Sequence, residues 1–474
     1  MLAIKYLIGL TLLFVILTFN SYAHEKHNQV FRQDWTMIAS IQLDDFSKGL
    51  KEISELDIDI AGVDVDKNIV DVLISKLDYQ FLLSKGYEIQ VNETKGITRK
   101  PDEEYKNPSE IENLVKDFHA RFPDLTELVS IGKSLEGRDI WALKISDNPT
   151  VDELDEPSVL FNSMHHAREI MTPEVSIDII EYLLTNYKSI NKVTDWVDST
   201  QIWVIPMFNV DGNNKMWNHD SWWRKNTRGG YGVDLNRNYP TGWNSCNGSS
   251  GSQSSQTYRG PSPASEPETK AMMNFIANKR PVFDISYHAY SELVIYPYGC
   301  GDRRTQTKEV VEKIGDHIAD LLDYKPGTAW ELLYNADGGD IDWMYEAYQV
   351  IPYVIELNSR SQGFHPKFRK WRNKTVERNR DGWQYLLDRV QLSGIRGQVF
   401  GTDKKPLSNF MVKVFKQTKN GEEQFQNYVG HKTGMFHIVV NPGEYKVQII
   451  TNKKIVKESL ISVSKTLTRL SINL

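Results

Sequence analysis

Between residues 108 and 390, short apolar runs alternate with amphipathic stretches of helical spacing, and this alternation constrains the fold more than any other feature of the chain. The β-rich runs are Trp141 to Ile145, Ser158 to Phe161, Gln201 to Met207, Val282 to Ser286 and Pro352 to Leu357. Helical stretches lie among them at Pro173 to Tyr187, Glu266 to Asn278 and Lys308 to Leu322, and Ser109 is placed to cap a helix running to Pro123. Strands separated by helices predict an α/β fold: a mixed, mostly parallel central sheet flanked by helices. In such sheets ligands bind in the crevice beyond the strand ends. His288 and Glu356 fall at or just beyond the ends of two of these predicted strands.

The flanks differ in character. Lys5, the apolar run Leu7 to Phe19 and the small residues of Ser21-Tyr22-Ala23 read as a secretory signal over residues 1–23. Roughly 13 apolar residues are too few to span a bilayer, and no other stretch is long and apolar enough, so the mature chain is expected to be exported without a membrane span. Residues 34–95 combine apolar runs with the amphipathic stretch Phe46 to Leu56 and predict a small α+β unit. A charged stretch from Asn92 to Asn107, containing Arg99 and Lys100, then reads as an exposed junction open to proteolysis. From Gly394 onward, short alternating strands separated by turn signals at Gly401 to Pro406, Asn420-Gly421 and Pro442-Gly443 predict an all-β sandwich of about seven strands. Residues 393–474 are assigned to it.

The net charge of -6 argues against nucleic acid as a partner, because such proteins normally carry a basic face. Cys246 and Cys300 are the only cysteines. In an exported chain they could form one disulfide, but two cysteines cannot replace a hydrophobic core, and the spacing does not say whether they meet.

The segments that carry chemistry are His166-Ala167-Arg168-Glu169 and Ser286-Tyr287-His288-Ala289-Tyr290. Two imidazoles and a carboxylate can hold a zinc ion while leaving a fourth position open. The spacing alone is weak evidence, since His-x-x-Glu recurs by chance and His165 pairs with Glu169 equally well at helical spacing. More weight comes from Glu356, which closes the apolar run Tyr353-Val354-Ile355. A charge beside strand residues is costly without a partner or a task.

The ordered motifs resemble zinc carboxypeptidases of the pancreatic A/B type, in the manner of secreted bacterial members. The matching stretches are Ser130 to Arg138, His166 to Glu169, Asp234-Leu235-Asn236-Arg237-Asn238, Thr257 to Gly260, His288 to Glu292, Tyr296 to Gly299, Gly338 to Trp343 and Ile355-Glu356. The resemblance implies a catalytic domain over residues 105–392 and one zinc ion held by His166, Glu169 and His288, with His165 a neighbour. The ligand set comes with the family.

The resemblance also implies roles for the surrounding residues. Glu356 would be the general base and Arg224 the oxyanion stabiliser. Asp234 would orient a zinc imidazole from behind. Asn236, Arg237 and Tyr334 would hold a substrate's terminal carboxylate, a task suited to the planar fork of arginine. Arg168 and Tyr290 would line neighbouring subsites. Ile341 stands where basic-specific relatives place an aspartate. With Ala336, Val354, Ile295 and Gly299 it implies a pocket for aromatic or large aliphatic C-terminal residues, whereas a shift of register to Asp340 or Asp337 would favour Lys or Arg.

Residues 24–104 resemble a propeptide removed by an activating protease, and the C-terminal sandwich resembles the transthyretin-like, regulatory-like domain of other carboxypeptidases. The expected protein is a secreted proenzyme, a metallocarboxypeptidase acting on peptide C-termini. A related amidase and a non-catalytic binding protein are the competing readings. Retention of Asn236, Arg237 and Tyr334 disfavours the first, and the full ligand set with Glu356 disfavours the second.

Overall fold

A computed structural model describes residues 35–94 and 101–474. The expected signal segment and the basic pair Arg99-Lys100 lie outside the described residues. The N-terminal unit runs β1 (Trp35–Gln42), α1 (Phe46–Glu55), β2 (Asp59–Asp64), β3 (Ile69–Ser75), α2 (Lys76–Ser84) and β4 (Ile89–Thr94). Its antiparallel sheet has the order β2-β3-β1-β4. Both helices start where the sequence satisfies the orphan amides of a first turn. Asp45 accepts from the Lys48 amide, and Ser75 forms a capping box with Asp78. The expected α+β character is observed.

The next helix, α3 (Pro108–Arg121), is capped by Asn107 with Glu110 in a capping box, and Pro108 occupies the first turn. The expected cap, Ser109, is one residue inside the helix. Proline suits that first position because its missing N–H is not needed there.

The main sheet has eight strands in the order β11-β10-β12-β9-β7-β8-β6-β5. They are β5 (Thr126–Lys133), β6 (Asp139–Ile145), β7 (Ser158–Ser163), β8 (Gln201–Ile205), β9 (Phe283–Ala289), β10 (Leu293–Ile295), β11 (Lys325–Gly327) and β12 (Ile351–Leu357). Strands β12, β9, β7 and β8 form a parallel block, flanked by antiparallel pairings of β6 with β8, β5 with β6 and β10 with β12. All five strands expected in this region are present. Helices α4 (Thr172–Asn186), α5 (Asn191–Val197), α6 (Val210–Asn218), α7 (Pro267–Lys279), α8 (Lys308–Leu322), α9 (Ala329–Leu332), α10 (Asp340–Tyr348) and α11 (Phe368–Arg389) complete the layers. Among the described residues, no helix is long and apolar enough to cross a membrane.

The C-terminal region contains only strands: β13 (Gly394–Phe400), β14 (Met411–Thr418), β15 (Gly421–Val429), β16 (Met435–Val439), β17 (Gly443–Thr451), β18 (Lys454–Val463) and β19 (Leu467–Asn473). They form a three-stranded sheet, β16-β13-β19, and a four-stranded sheet, β15-β14-β17-β18. This region sits against the N-terminal ends of the parallel strands. Arg396 donates to the carbonyls of Leu154 and Glu156, just before β7. The Val429 carbonyl accepts from Arg280 before β9, and its amide donates to Gln349 before β12. One continuous apolar core joins the sandwich to the α/β layers. The opposite, C-terminal ends of the strands are therefore left for the cleft.

Candidate active site

His166 and Glu169 lie in the connection from β7 to α4, where the backbone must turn sharply; Met164 has a φ of 67°. This connection is anchored from outside. Asn209 donates to the His165 carbonyl at 3.0 Å, and the Ala167 amide donates to the Arg224 carbonyl at 2.9 Å. His288 is the sixth residue of β9 rather than a residue beyond it, and the parallel register of β12 sets Glu356 directly beside it.

Three groups converge at this strand end. The Nδ1 atom of His166 lies 2.7 Å from Glu169 Oε1 and 3.1 Å from His288 Nδ1, while His288 Nδ1 lies 3.2 Å from Glu169 Oε2. All three residues are buried, and one ligand atom from each lies within 4.8 Å of the others. Two imidazole nitrogens that face each other as well as a carboxylate need a positive centre between them. Two nitrogens and one oxygen are the donor set of an open zinc site. Burial, then Arg224, pushes His166 below its ordinary value, which keeps a lone pair available. Burial opposes ionisation of Glu169, but the two imidazoles override it and hold the carboxyl well below its usual range. The residues present fit a zinc ion.

Behind this trio, Asp234 Oδ1 lies 3.3 Å from His166 Nε2, and Asp234 Oδ2 accepts from Arg224 Nε at 3.1 Å and Nη2 at 3.0 Å. Burial alone would raise Asp234, and Arg224 with His166 reverses this, so that it stays ionised. Burial likewise disfavours the Arg224 cation, yet Asp234 keeps it firmly charged. Asp234 thus touches both an imidazole and the guanidinium beside it, the geometry of an outer group that orients a metal ligand. Desolvation pushes the Glu356 carboxyl up, to about 8.

One cleft is lined by His166, Glu169, His288, Glu356, Arg224, Asn236, Arg237, Tyr290, Tyr334 and Ile341. Asn236 and Arg237 sit in a short 3-10 turn, Leu235–Arg237, where the Asn236 amide donates to the Asp234 carboxylate. The Asn236 side chain is oriented by accepting from the Asp340 amide at 2.9 Å and lies 3.4 Å from His288 Nε2. Arg237 donates to Tyr334 Oη at 3.4 Å. The irregular segment 333–339 carries Tyr334, and Gly338 lets it reach the site. Its φ is +67°, and a Cβ there would lie 2.4 Å from the Arg237 carbonyl.

Ile341, Ala336, Val354, Ile295 and Gly299 all border one side of the cleft. Asp337 does not. Its carboxylate is turned into the 245–249 loop, accepting from the amides of Ser245, Cys246 and Gly248 and from the Ser249 hydroxyl. Cys246 and Cys300 form a disulfide that ties this loop to the one after β10. Asp340 borders the cleft but lies 3.6 Å from His165 Nε2.

Six residues of the cleft region are without a role in the sequence expectations. Asp342, one position past Ile341, accepts from the Gly299 amide at 2.9 Å through both oxygens, and burial pushes its carboxyl up to about 7. The others belong to the N-terminal unit. Asp59 binds Arg168 at 2.7 and 3.1 Å, Asp71 accepts from Tyr290 Oη at 3.2 Å, and Ile60, Ala61 and Gly62 form part of the cleft wall. A Cβ on Gly62 would fall 2.3 Å from the Tyr290 ring, so only glycine lets β2 lie this close. The acidic residues of the Asp57-Ile58-Asp59-Ile60 alternation were the available signal, but in a strand such alternation ordinarily marks an exposed face.

Residues 111–381 match the family model for zinc carboxypeptidases. Bovine (Bos taurus) carboxypeptidase B is 30% identical over 308 residues, 62% of this chain and 70% of that protein. A zinc carboxypeptidase of Saccharothrix mutabilis subsp. capreolus is 37% identical over 265 residues, 52% of this chain and 60% of that protein. In fold, carboxypeptidase A of Helicoverpa armigera superposes with a TM-score of 0.64 at 23% identity, covering 74% of this chain and 96% of the other. A metal-type His-Glu-His cluster at the C-terminal end of a mixed sheet defines the class as a zinc metallopeptidase. Within it, this chain belongs to the zinc carboxypeptidase family and is a metallocarboxypeptidase.

Proposed function

We propose that the protein is a secreted zinc carboxypeptidase, made as a proenzyme, that removes aromatic or large aliphatic residues from peptide C-termini. The observation that carries this reading is the convergence of His166 Nδ1, His288 Nδ1 and Glu169 in one cleft with Glu356, Arg224 and Arg237. His166, Glu169 and His288 would hold the zinc, which supplies Lewis-acid chemistry for peptide hydrolysis. Asp234 fixes the His166 ring.

Glu356, set beside His288 by the β12–β9 pairing and lining the cleft, takes a proton from the attacking water and returns it to the leaving amine. Arg224, kept cationic and held in place by Asp234, offers donors to the negative charge that develops on the scissile oxygen. Asn236 and Arg237, with Tyr334 above them, bind the free carboxylate. That recognition restricts attack to the last peptide bond. Arg168 and Tyr290 border the adjoining stretch of substrate. Ile341, with Ile295 and Val354, makes an apolar wall for the released side chain.

The N-terminal unit supports the proenzyme reading. It places Asp59 on Arg168 and Asp71 on Tyr290, and its β2 backbone fills part of the cleft wall, so a peptide cannot reach these residues while the unit is docked. Cleavage in the junction around residues 92–107 by a separate protease would release it. The Cys246–Cys300 disulfide agrees with an oxidising, extracytoplasmic location. The test is to treat the protein with trypsin and assay it, with and without a chelator, on peptides ending in Phe, Leu, Lys or Glu. Chelator-sensitive release of single C-terminal residues, fastest from Phe or Leu, is the expected result. No release in the presence of zinc overturns the reading.

A further inference from the structure

At the end of the sheet away from the cleft, the sandwich and the α/β layers border a pocket of about 400 Å³ that opens to solvent. Its wall is built from the segment before β7, from β8, from the end of α7 and from the loop after β15. Among its lining residues are Trp203, 1% exposed, and Ser158 and Arg396, each 7% exposed. Trp203 Nε1, Ser158 Oγ, Arg396 Nε and the Oε2 of a fourth lining residue, Glu156, are buried with no hydrogen-bond partner among the described residues. Buried polar atoms are normally satisfied, and these four, with His431 Nε2 as a fifth, ask for a common partner. Two of them, the indole and guanidinium N–H groups, can only donate, so that partner must carry acceptors.

The charge around the cavity points the same way. Arg396 directs its Nη2 atom to the Leu154 and Glu156 carbonyls and its Nη1 atom toward His437 Nδ1. Arg280, also in the wall, donates to the carbonyls of Ala277 and Val429 and stacks on Tyr348. Neither guanidinium group donates to a carboxylate, although Asp155 and Glu156 act on Arg396 through space. Burial, then Arg469, pushes Arg396 down to about 10 against the opposing pull of Asp155 and Glu156, and burial lowers Arg280. Burial and the neighbouring Glu153, Asp147 and Asp155 push the Glu156 carboxyl up to about 8, so near neutral pH it too can donate.

We propose that this cavity is a binding site for a compact oxyanion, of the phosphate or polycarboxylate type, which bridges the C-terminal sandwich and the catalytic layers by accepting from Trp203, Ser158 and Arg396. The competing occupant is a divalent cation on Asp147, Glu153 and Glu156, whose carboxylates come within 4.8 Å of one another. Those three groups are partly or fully exposed, and the two donor-only N–H groups of the wall offer a cation nothing.

The test uses the full chain. Binding of inorganic phosphate and of citrate is measured by calorimetry and by the unfolding midpoint, against sodium chloride of equal ionic strength and against calcium chloride. Saturable stabilisation by phosphate, by citrate or by both, beyond that of chloride, is expected, and which of them binds identifies the type of anion. Trp203→Phe keeps the ring and removes one donor, so it should weaken binding about tenfold, the usual worth of a hydrogen bond to a charged group. Ser158→Ala is the second variant, in case the first fails to fold. Three results overturn the proposal: neither anion acting beyond chloride, anion affinity unchanged in the folded variants, or stabilisation by calcium alone with loss in Glu153→Gln.

Discussion

Asp59 presents both carboxylate oxygens to the guanidinium of Arg168, at 2.7 and 3.1 Å, in a pair that water does not reach. Removing one partner of such a buried pair costs about 3–5 kcal/mol, because the other charge is left without compensation. If the N-terminal unit acts as a cover, that energy is part of what keeps it down. Uncleaved Asp59→Ala should then release C-terminal residues at least about tenfold faster than the uncleaved wild type. Gly62→Val should act in the same direction by pushing β2 off the Tyr290 ring. After cleavage the variants and the wild type should be equally active. Equal silence of all three before cleavage would count against the latch.

Glu356 and His166 separate two kinds of loss. Glu356→Gln keeps the size of the side chain and leaves the His-Glu-His trio intact, so zinc measured by atomic absorption should stay near one per chain. Turnover should fall by roughly 10²–10⁴, the range for a general base. His166→Ala removes a ligand, and zinc should be lost together with activity. A Glu356→Gln protein that retains full turnover, or that loses its zinc, would contradict the assignment.

These two residues also show what the chain's one-dimensional pattern can and cannot reveal. His166 and Glu169 are readable because a short turn brings them together. Glu356 is next to His288 only because β12 and β9 pair in parallel register, a long-range fact that motif order suggests and periodicity does not. The strands at the two sheet edges left little trace: β10 has three residues, and β11 contains Pro326 and Gly327, which read as a turn. Helix α11 is so rich in charge that its buried stripe of Val376, Trp383, Leu386 and Leu387 is easily overlooked. The Asp59–Arg168 contact joins residues 109 positions apart, and neither side chain announces the other.

Glu268 gives a stability test away from the chemistry. It is fully buried, accepts from the Leu135 amide at 2.9 Å, and burial pushes its carboxyl up to about 7. Between the ordinary carboxyl value of about 4.5 and 7, the unfolded chain loses this proton while the folded chain retains it. The folded state then binds more protons, so this group's contribution to stability falls as pH rises through that window and is constant above it. The decline amounts to about 3 kcal/mol. Glu268→Gln has no proton to lose, so the stability of the wild type relative to the variant should drop between pH 5 and 7 in denaturant titrations. A difference that does not change with pH would refute the assignment.

The pocket offers the sharpest test of substrate preference. Ile295, Ile341 and Val354 are buried apolar side chains on the same wall, and covering an aromatic or leucine side chain with them is worth about 2 kcal/mol. A lysine ammonium entering there must lose water without gaining a fixed counter-charge, because Asp342 is kept largely protonated below about pH 7 by burial. Ile341→Asp supplies that charge at the wall and removes the apolar contact. Its kcat/KM for peptides ending in Lys or Arg should rise, and that for Phe should fall, by at least about tenfold each. Asp342 adds a dependence on pH. In the wild type the ratio of Phe to Lys release should decline above about pH 7 as Asp342 ionises, and Asp342→Asn should flatten that decline. A pH-independent ratio in the wild type would remove Asp342 from the determinants of specificity. A wild-type preference for Lys would remove Ile341 as well, since no rearrangement of an isoleucine supplies the negative charge that a basic side chain requires.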